Sequence, residues 1–486
     1  MGDRVATNKS SRRDALLLAG IVAIGGALRL LHLGAPSFWL DEALSVAYAR
    51  LPWSQFAHLM QSRELNMLPY YLILRGWLHL GAAEWIVRSF SAICSIATLP
   101  LFYQLGASLF GTRVGRIAVL LLALNPYHIR FAQEARGYSL MLLLVTASTL
   151  LLVHGIESSS RRRSIVWTSY VATAVLAAYA HFYATLVIAS EWVSVAIARP
   201  RGAPWKRLAL SACAIGVLLV PLAAFVLLGH ADPAEWIPTP NWKRVEFLVY
   251  SLLGGDNTHG ARIFAWPVYI VVLIAAATST RDAWRMHDRE HEAWHYTLVV
   301  SGAALPILLV LAASILKPIF VDKYLVGCLP FVVLLVAVGV ERLRPRALSL
   351  GATFVLLAIS AHALVGYYRS SGKDDWRDAT RYVLDSSRAG DAALFYPSYA
   401  VAPFEYYRAF GDSSSHSVSV VYPGTLGEGD VRDAVAGVQH RYARLWAVFN
   451  QDGDSGAVVR DSLGRRYRVE SDRQFTGVRV VLYDTR

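Results

Sequence analysis

The feature that most constrains this chain is the recurrence of apolar runs long enough to cross a bilayer. They cover 15–33, 86–107, 115–130, 138–155, 164–180, 182–198, 207–229, 264–280, 296–315, 325–341 and 347–367, about eleven in all. Backbone inside hydrocarbon must satisfy its own N–H and C=O groups, so such runs admit helices and exclude open sheets. With 55% hydrophobic and only 17% charged residues, the chain carries more apolar surface than one soluble core needs. The expectation is a polytopic α-helical membrane protein.

A net charge of +12 would suit a nucleic-acid binder, but the basic residues fall in short clusters between apolar runs, such as Arg161-Arg162-Arg163 and Arg342, Arg344 and Arg346. That is a topology signal. Arg4, Lys9, Arg12 and Arg13 precede the first run, no small-residue cleavage site follows it, and it reads as a retained first span rather than a signal peptide. Cys94, Cys213 and Cys328 lie inside apolar runs, so neither a disulfide framework nor a cysteine metal site is indicated.

The stretch Asn66 to Gly81 is apolar but short, with Arg75 in its middle. Placed as an interfacial helix on the outer face, it leaves the clusters Arg113/Arg116, Arg161 to Arg163, Arg199/Arg201/Lys206/Arg207, Arg281/Arg285/Arg289 and Arg342/Arg344/Arg346 all inside. If it spanned, all of them would lie outside. The expected arrangement is a multi-pass protein of the plasma (inner) membrane with a cytoplasmic N-terminus. Residues 34–85, 131–137, 230–263, 317–324 and the region from about Ser370 are then external.

Composition turns mixed polar from Lys373, giving a division into a membrane domain, 1–369, and an extracytoplasmic α/β domain, 370–486. Asp374 to Val383 and Asp430 to Tyr442 read as helices. Ala393 to Tyr396 and Ser417 to Tyr422 read as strands, and Arg466 to Tyr483 as a terminal hairpin turning at Gln474 to Gly477.

Four constellations carry chemistry. Asp41 and Glu42, adjacent and preceded by Phe38 and Trp39, follow the first run directly; carboxylates beside lipid are costly unless used, and Asp41 reads as a catalytic base. The bland alternative is that both acids merely favour the start of a helix over Ala43 to Ala49. The second constellation, Asn125 to Ser139, gathers His128, Arg130, Glu134, Arg136 and Tyr138; an isolated Glu-x-Arg would be a neutralised turn. The third is a short external turn in which Lys323, with Tyr324, is placed to bind phosphate, although a lysine there can also simply snorkel. The fourth is His181 among Tyr179, Phe182 and Tyr183, where a structural histidine is the more ordinary reading.

Phe38-Trp-Leu-Asp-Glu-Ala-Leu-Ser45, Leu68-Pro-Tyr-Tyr-Leu72 with Glu84 and Arg88, Asn125-Pro with Gln133-Glu-Ala-Arg-Gly-Tyr138, Asp322-Lys-Tyr324 and Asp375-Trp-Arg377 together resemble the GT-C membrane glycosyltransferases. The likeness is to bacterial relatives of the dolichyl-phosphate-mannose protein mannosyltransferases and to the lipid A aminoarabinose transferases, over about residues 14 to 385. It implies a GT-C fold of about 11 transmembrane helices with interfacial helices in the first external loop. It implies transfer of a sugar from a polyprenyl-phosphate carrier to a cell-envelope glycan, lipid or protein, with no nucleic acid involved. Asp41 is then the base, Glu42 positions it or the acceptor, and Glu134 is the second acidic site residue. Lys323 and Tyr324 meet the donor phosphate, with Arg130, Arg136 and Tyr138 beside them, and Trp39, His181 and Tyr70 are the implied substrate contacts. Two departures stand out: Asn66-Met-Leu-Pro69 replaces a His-Pro-Pro-like segment, and Lys323 stands where an arginine is usual, which removes two-pronged phosphate contact.

Physical chemistry agrees with that implication. A hydroxyl acceptor needs a carboxylate to take its proton, and a phosphate leaving group needs cations. One carboxylate opposite one phosphate site suits a single displacement with inversion. Nothing resembles a nucleotide-cradling glycine loop, Gly254-Gly255 being too isolated. No nucleotide site is required; a divalent metal on Asp41, Glu42 and Glu134 is the one cofactor candidate, and three carboxylates from separate loops are weak evidence for it. The rival class is a transporter or flippase of a lipid-linked glycan, which would place charges at the membrane midplane and show internal repeats.

Overall fold

The computed structural model describes residues 2–157, 163–228, 237–255, 259–285, 291–369, 372–410, 418–421, 442–450 and 454–486. In chain order its helices are α1 (Gly2–Leu30), α2 (Leu40–Arg50), α3 (Trp53–Ser62), α4 (Leu68–Trp77), α5 (Glu84–Phe110), α6 (Thr112–Leu124), α7 (Pro126–Ala132), α8 (Tyr138–Glu157), α9 (Arg163–Ala180) and α10 (Ala184–Ala198). They continue with α11 (Trp205–Leu228), α12 (Trp242–Leu252), α13 (His259–Arg285), α14 (Glu292–Ala313), α15 (Leu329–Arg342), α16 (Arg346–Arg369), α17 (Trp376–Ser386), α18 (Val401–Phe410) and α19 (Asp454–Arg466). Among the described residues, six helical stretches are both long and apolar enough to cross a membrane: α5, α8, α11, α14, α16 and Asp322–Arg342, which joins a 3-10 turn to α15. The shorter α9 and α10 are apolar as well.

One expected span is two elements. The run 115–130 breaks at Asn125, which is extended at φ −66° and ψ 118° between α6 and α7. Pro126 disfavours helical backbone at the residue before it, and the Asn125 side chain accepts from the His128 N–H to start α7.

The chain divides into two units. The first comprises Met1–Leu31, Trp53–Ile73 and Ser89–Arg369. Arg29, 0% exposed within an apolar helix, has its guanidinium fully used: it donates to Ser95 Oγ at 2.7 Å, to the carbonyls of Gly25 and Ala123, and to His128 Nδ1 at 2.6 Å. His128 is therefore an acceptor inside a structural network. Glu191, also in an apolar helix, takes hydrogen bonds from Thr149 and Tyr170. Buried charges of this kind persist only where every polar group is met.

The second unit comprises His32–Pro52, Leu74–Arg88 and Ser370–Arg486, so two stretches that the sequence reading places with the membrane domain cluster with the C-terminal region. Its five-stranded sheet has the order β2 (Ser419–Val421), β1 (Ala392–Tyr396), β3 (Arg444–Asn450), β5 (Val478–Asp484), β4 (Arg468–Phe475). β1 pairs parallel with β2 and β3, while β5 is antiparallel to β3 and β4. The β4–β5 hairpin turns at Gly477, whose φ of +69° suits glycine and where a Cβ would stand 2.0 Å from Asp374 Oδ1. Asp375 caps α17, accepting from the Asp378 N–H. The strand β3 and helices α18 and α19 go beyond the sequence expectation; the helix expected over Asp430 to Tyr442 lies outside the described residues.

Candidate active site

In the second unit, α2 begins after Trp39, an extended and half-buried N-cap that makes no side-chain capping bond, and Asp41 and Glu42 fill the first turn. The two acids differ in environment. Glu42 is fully buried: Arg88 grips it with Nε–Oε1 and Nη2–Oε2 both at 2.7 Å, and Lys373 Nζ lies 3.1 Å from Oε2. Arg88 spends its remaining donors on the carbonyls of Leu33, Pro36 and Ser37, and its guanidinium lies 4.9 Å from the centre of the Phe38 ring. One side chain thereby fixes the loop that leads into α2. Asp41 is half-buried at the same turn.

The loop is held a second time. Arg377 donates to the carbonyls of Gly34 and Ala35 and pairs with Glu84 at 2.5 Å. Tyr407 accepts from the Phe38 N–H at 2.7 Å and donates to Glu84 at 3.0 Å. Burial, then the Glu84 charge, pushes the Tyr407 phenol well up, so it remains a donor at any working pH. Arg88, Lys373 and Tyr407 hold the loop yet carry no role in the sequence reading. The signal for Arg88 was available, since a cation four residues into an apolar helix calls for a buried partner.

In the first unit, the turn between α7 and α8 brings a cationic and aromatic cluster together. Gly137 allows it: a Cβ there would stand 2.8 Å from the carbonyl oxygen of Ala180, so the turn lies directly against the segment that carries His181. The His181 ring packs 4.7 Å from Tyr324, 5.5 Å from Tyr138 and face to face with Phe182. Its Nδ1 accepts from the Tyr183 N–H, which leaves the proton on Nε2; that buried N–H has no acceptor among the described residues. Burial, and then the charges of Arg136 and Lys323, push the imidazole down to about 3, so it is neutral. Arg136 donates to Tyr71 Oη at 3.1 Å, and the Lys323 ammonium lies 5.9 Å from the centre of the Tyr324 ring.

The remaining expected residues occupy other places in this unit. Glu134 is 2% exposed; Oε1 accepts from Arg130 at 3.3 Å, and Oε2, also buried, has no partner among the described residues. Tyr127 and Asp322 complete that group, burial and the Asp322 charge holding the Tyr127 phenol protonated. Tyr70 is fully buried, with its hydroxyl 3.3 Å from Ser91 Oγ, and its neighbour Tyr71 is the one that meets Arg136. Gln133 ties off α1, donating to the carbonyls of Arg29 and Leu31 while accepting from Tyr367. Among the described residues no group of three or more His, Cys, Asp or Glu could hold a metal ion, and both Glu42 oxygens are taken by cations.

No protein-family model matches the sequence, and no curated protein sequence matches it either. Solved structures do match. ArnT from Cupriavidus metallidurans in the apo state superimposes with a TM-score of 0.62 at 13% identity, covering 96% of this chain and 97% of that one. The same protein bound to undecaprenyl phosphate gives 0.59 at 14% identity, with the same coverage. The Archaeoglobus fulgidus oligosaccharyltransferase AglB, in complex with an inhibitory peptide and a dolichol-phosphate, gives 0.54 at 11% identity over 91% of this chain and 70% of that one. The fold of this chain is thus that of these polytopic membrane proteins. More particularly it is the GT-C fold, shared with the lipid A aminoarabinose transferase and with AglB.

Proposed function

We propose that this protein is an inverting glycosyltransferase that moves a sugar from a polyprenyl-phosphate donor to a cell-envelope acceptor on the outer face of the plasma membrane. The observation that carries the reading is the cluster in the first unit, where the charges of Arg136 and Lys323 act on a neutral His181 amid aromatic rings, its buried Nε2–H unpartnered among the described residues. Donors of this kind suit the phosphate of a lipid carrier at the bilayer boundary. Structures of the same fold hold undecaprenyl phosphate or dolichol-phosphate, which supports that ligand class. Asp41, left half-buried while Glu42 is locked to Arg88, takes the proton from the acceptor hydroxyl. In this reading Tyr324 and Tyr138 line the phosphate site, Glu134, paired with Arg130, is the second acidic residue, and Trp39 contacts the substrate.

Incubation of the purified protein with radiolabelled polyprenyl-phosphate sugars and an envelope extract should transfer label to one acceptor fraction. Label that stays on the carrier while the carrier changes sides in proteoliposomes would replace the transferase with a flippase. The orientation follows from the arginine clusters. A cysteine at exposed Ser462 should react with an impermeant reagent in intact cells, and labelling only after lysis would reverse it.

A further inference from the structure

Helices α9 and α11 run in the same direction. They pack where Tyr179 donates to the carbonyl oxygen of Leu218 at 3.0 Å, while near their starts a cavity of about 620 Å³ opens between them. Its lining is graded. At the helix starts it is polar, with Ser164 and Thr168 from α9 and Lys206 and Arg207 from α11, Ser211 following one turn further in. Deeper in, Val171, Leu210 and Ala214 make it apolar, and Trp167 stands between the two zones. Among the described residues no acidic side chain lines it. The outer surfaces are lipid-like, with Leu210 62% and Val217 69% exposed.

The charge placement is unusual for a helix start. Lys206 and Arg207 sit in the first turn of α11, which has no acidic residue, so both cations oppose the positive end of its dipole. The start of α9, running parallel, adds the same sign at the same end. Topology accounts for basic residues at this membrane face, but not for a cavity of graded polarity with hydroxyls at its rim. An anion at the rim would relieve the repulsion, and one carrying hydrocarbon would also cover the apolar floor.

We propose that this cavity binds the phosphate headgroup of an anionic membrane phospholipid, with its upper acyl chain laid along Leu210 and Ala214. The site is separate from the proposed donor site: its polar rim at Ser164 and Thr168 precedes His181 by about 20–25 Å along α9. Lys206 and Arg207 take the phosphate, the hydroxyls of Ser164 and Thr168 take glycerol or headgroup oxygens, and Trp167 marks the interface level.

The test is native mass spectrometry of the full chain released from detergent with equal amounts of dioleoyl phosphatidylglycerol and dioleoyl phosphatidylcholine. Wild type should retain phosphatidylglycerol selectively. The double variant Lys206→Gln/Arg207→Gln should lose that retention by on the order of ten-fold or more, two cations being removed from one headgroup. Leu210→Trp, an exposed position in the groove, keeps both charges and should lose it as well. Equal retention of the two lipids, or undiminished phosphatidylglycerol in either variant, would overturn the proposal. Displacement of the lipid by an equal concentration of free glycerol phosphate would overturn the assignment to a membrane lipid.

Discussion

Arg88 and Glu42 form a two-pronged ion pair with both contacts at 2.7 Å, and both residues are 0% exposed. The pair divides the labour of two adjacent acids. Because Glu42 is immobilised against a guanidinium that also holds three loop carbonyls, the neighbouring Asp41 is presented on a fixed first turn. The proposed base, held this way, would lose little entropy on reaching its substrate, which is where positioning assists catalysis.

The first expectation concerns that pair. Arg88→Ala takes both guanidinium contacts from a buried carboxylate, and breaking one side of a buried pair costs about 3–5 kcal/mol. Arg88→Lys restores charge but not the fork, and should recover only part of the loss. Glu42→Gln should reduce turnover less than any change at Asp41. Thermal melting in detergent reads the first two; an Arg88→Ala protein as stable as wild type would remove the loop-holding role.

Hydropathy made the membrane helices legible, because helices in lipid depend on local sequence alone. It misread 115–130 because apolarity runs straight through Asn125, and only the proline that follows marks the break. β3 was illegible for a related reason: all seven of its positions are buried, so it shows no alternation of period two. In the site, residue types were readable but partnerships were not. Glu42 and Arg88 stand 46 positions apart, and no spacing rule joins them. Tyr70 and Tyr71 are neighbours on α4, where one residue is about 100° of rotation, so the choice of which one meets Arg136 needed the fold.

The second expectation is a pH dependence of stability. Unfolded histidine titrates near about 6.5, whereas His181 in the folded chain is held down to about 3. Between those values the unfolded state binds a proton that the folded state refuses, so stability is full above about 6.5 and falls as pH drops toward 3. His181→Gln removes this contribution. Melting temperatures at pH 7.5 and 5.0 should therefore differ less in the variant than in wild type. An equal difference in both would mean that His181 is not held neutral by its surroundings.

The third concerns the donor. Lys323→Ala should raise the KM for the polyprenyl-phosphate sugar, the loss of a charge-assisted phosphate contact corresponding to about 1–3 kcal/mol. Lys323→Arg keeps the charge and should restore most of the affinity. Arg136→Gln should act in the same direction, because both charges help to hold the same imidazole neutral. Unchanged donor KM in both neutral variants would move the phosphate to Arg130.

The fourth is the chemical step itself. Asp41→Asn preserves shape and hydrogen bonding at the first turn of α2 but cannot accept a proton, and loss of a general base typically lowers rate by about 10²–10⁴-fold. The loop should stay intact, since Glu42, Arg88, Arg377 and Tyr407 hold it. The measurement is turnover at saturating donor, with melting temperature and monodispersity matched to wild type. If turnover falls while donor KM is unchanged, the carboxylate acts in the transition state rather than in binding the carrier. Near-wild-type turnover would reduce Asp41 to an acid that favours a helix start, and the base would have to be sought at Glu134, whose Oε2 is buried and unpartnered among the described residues.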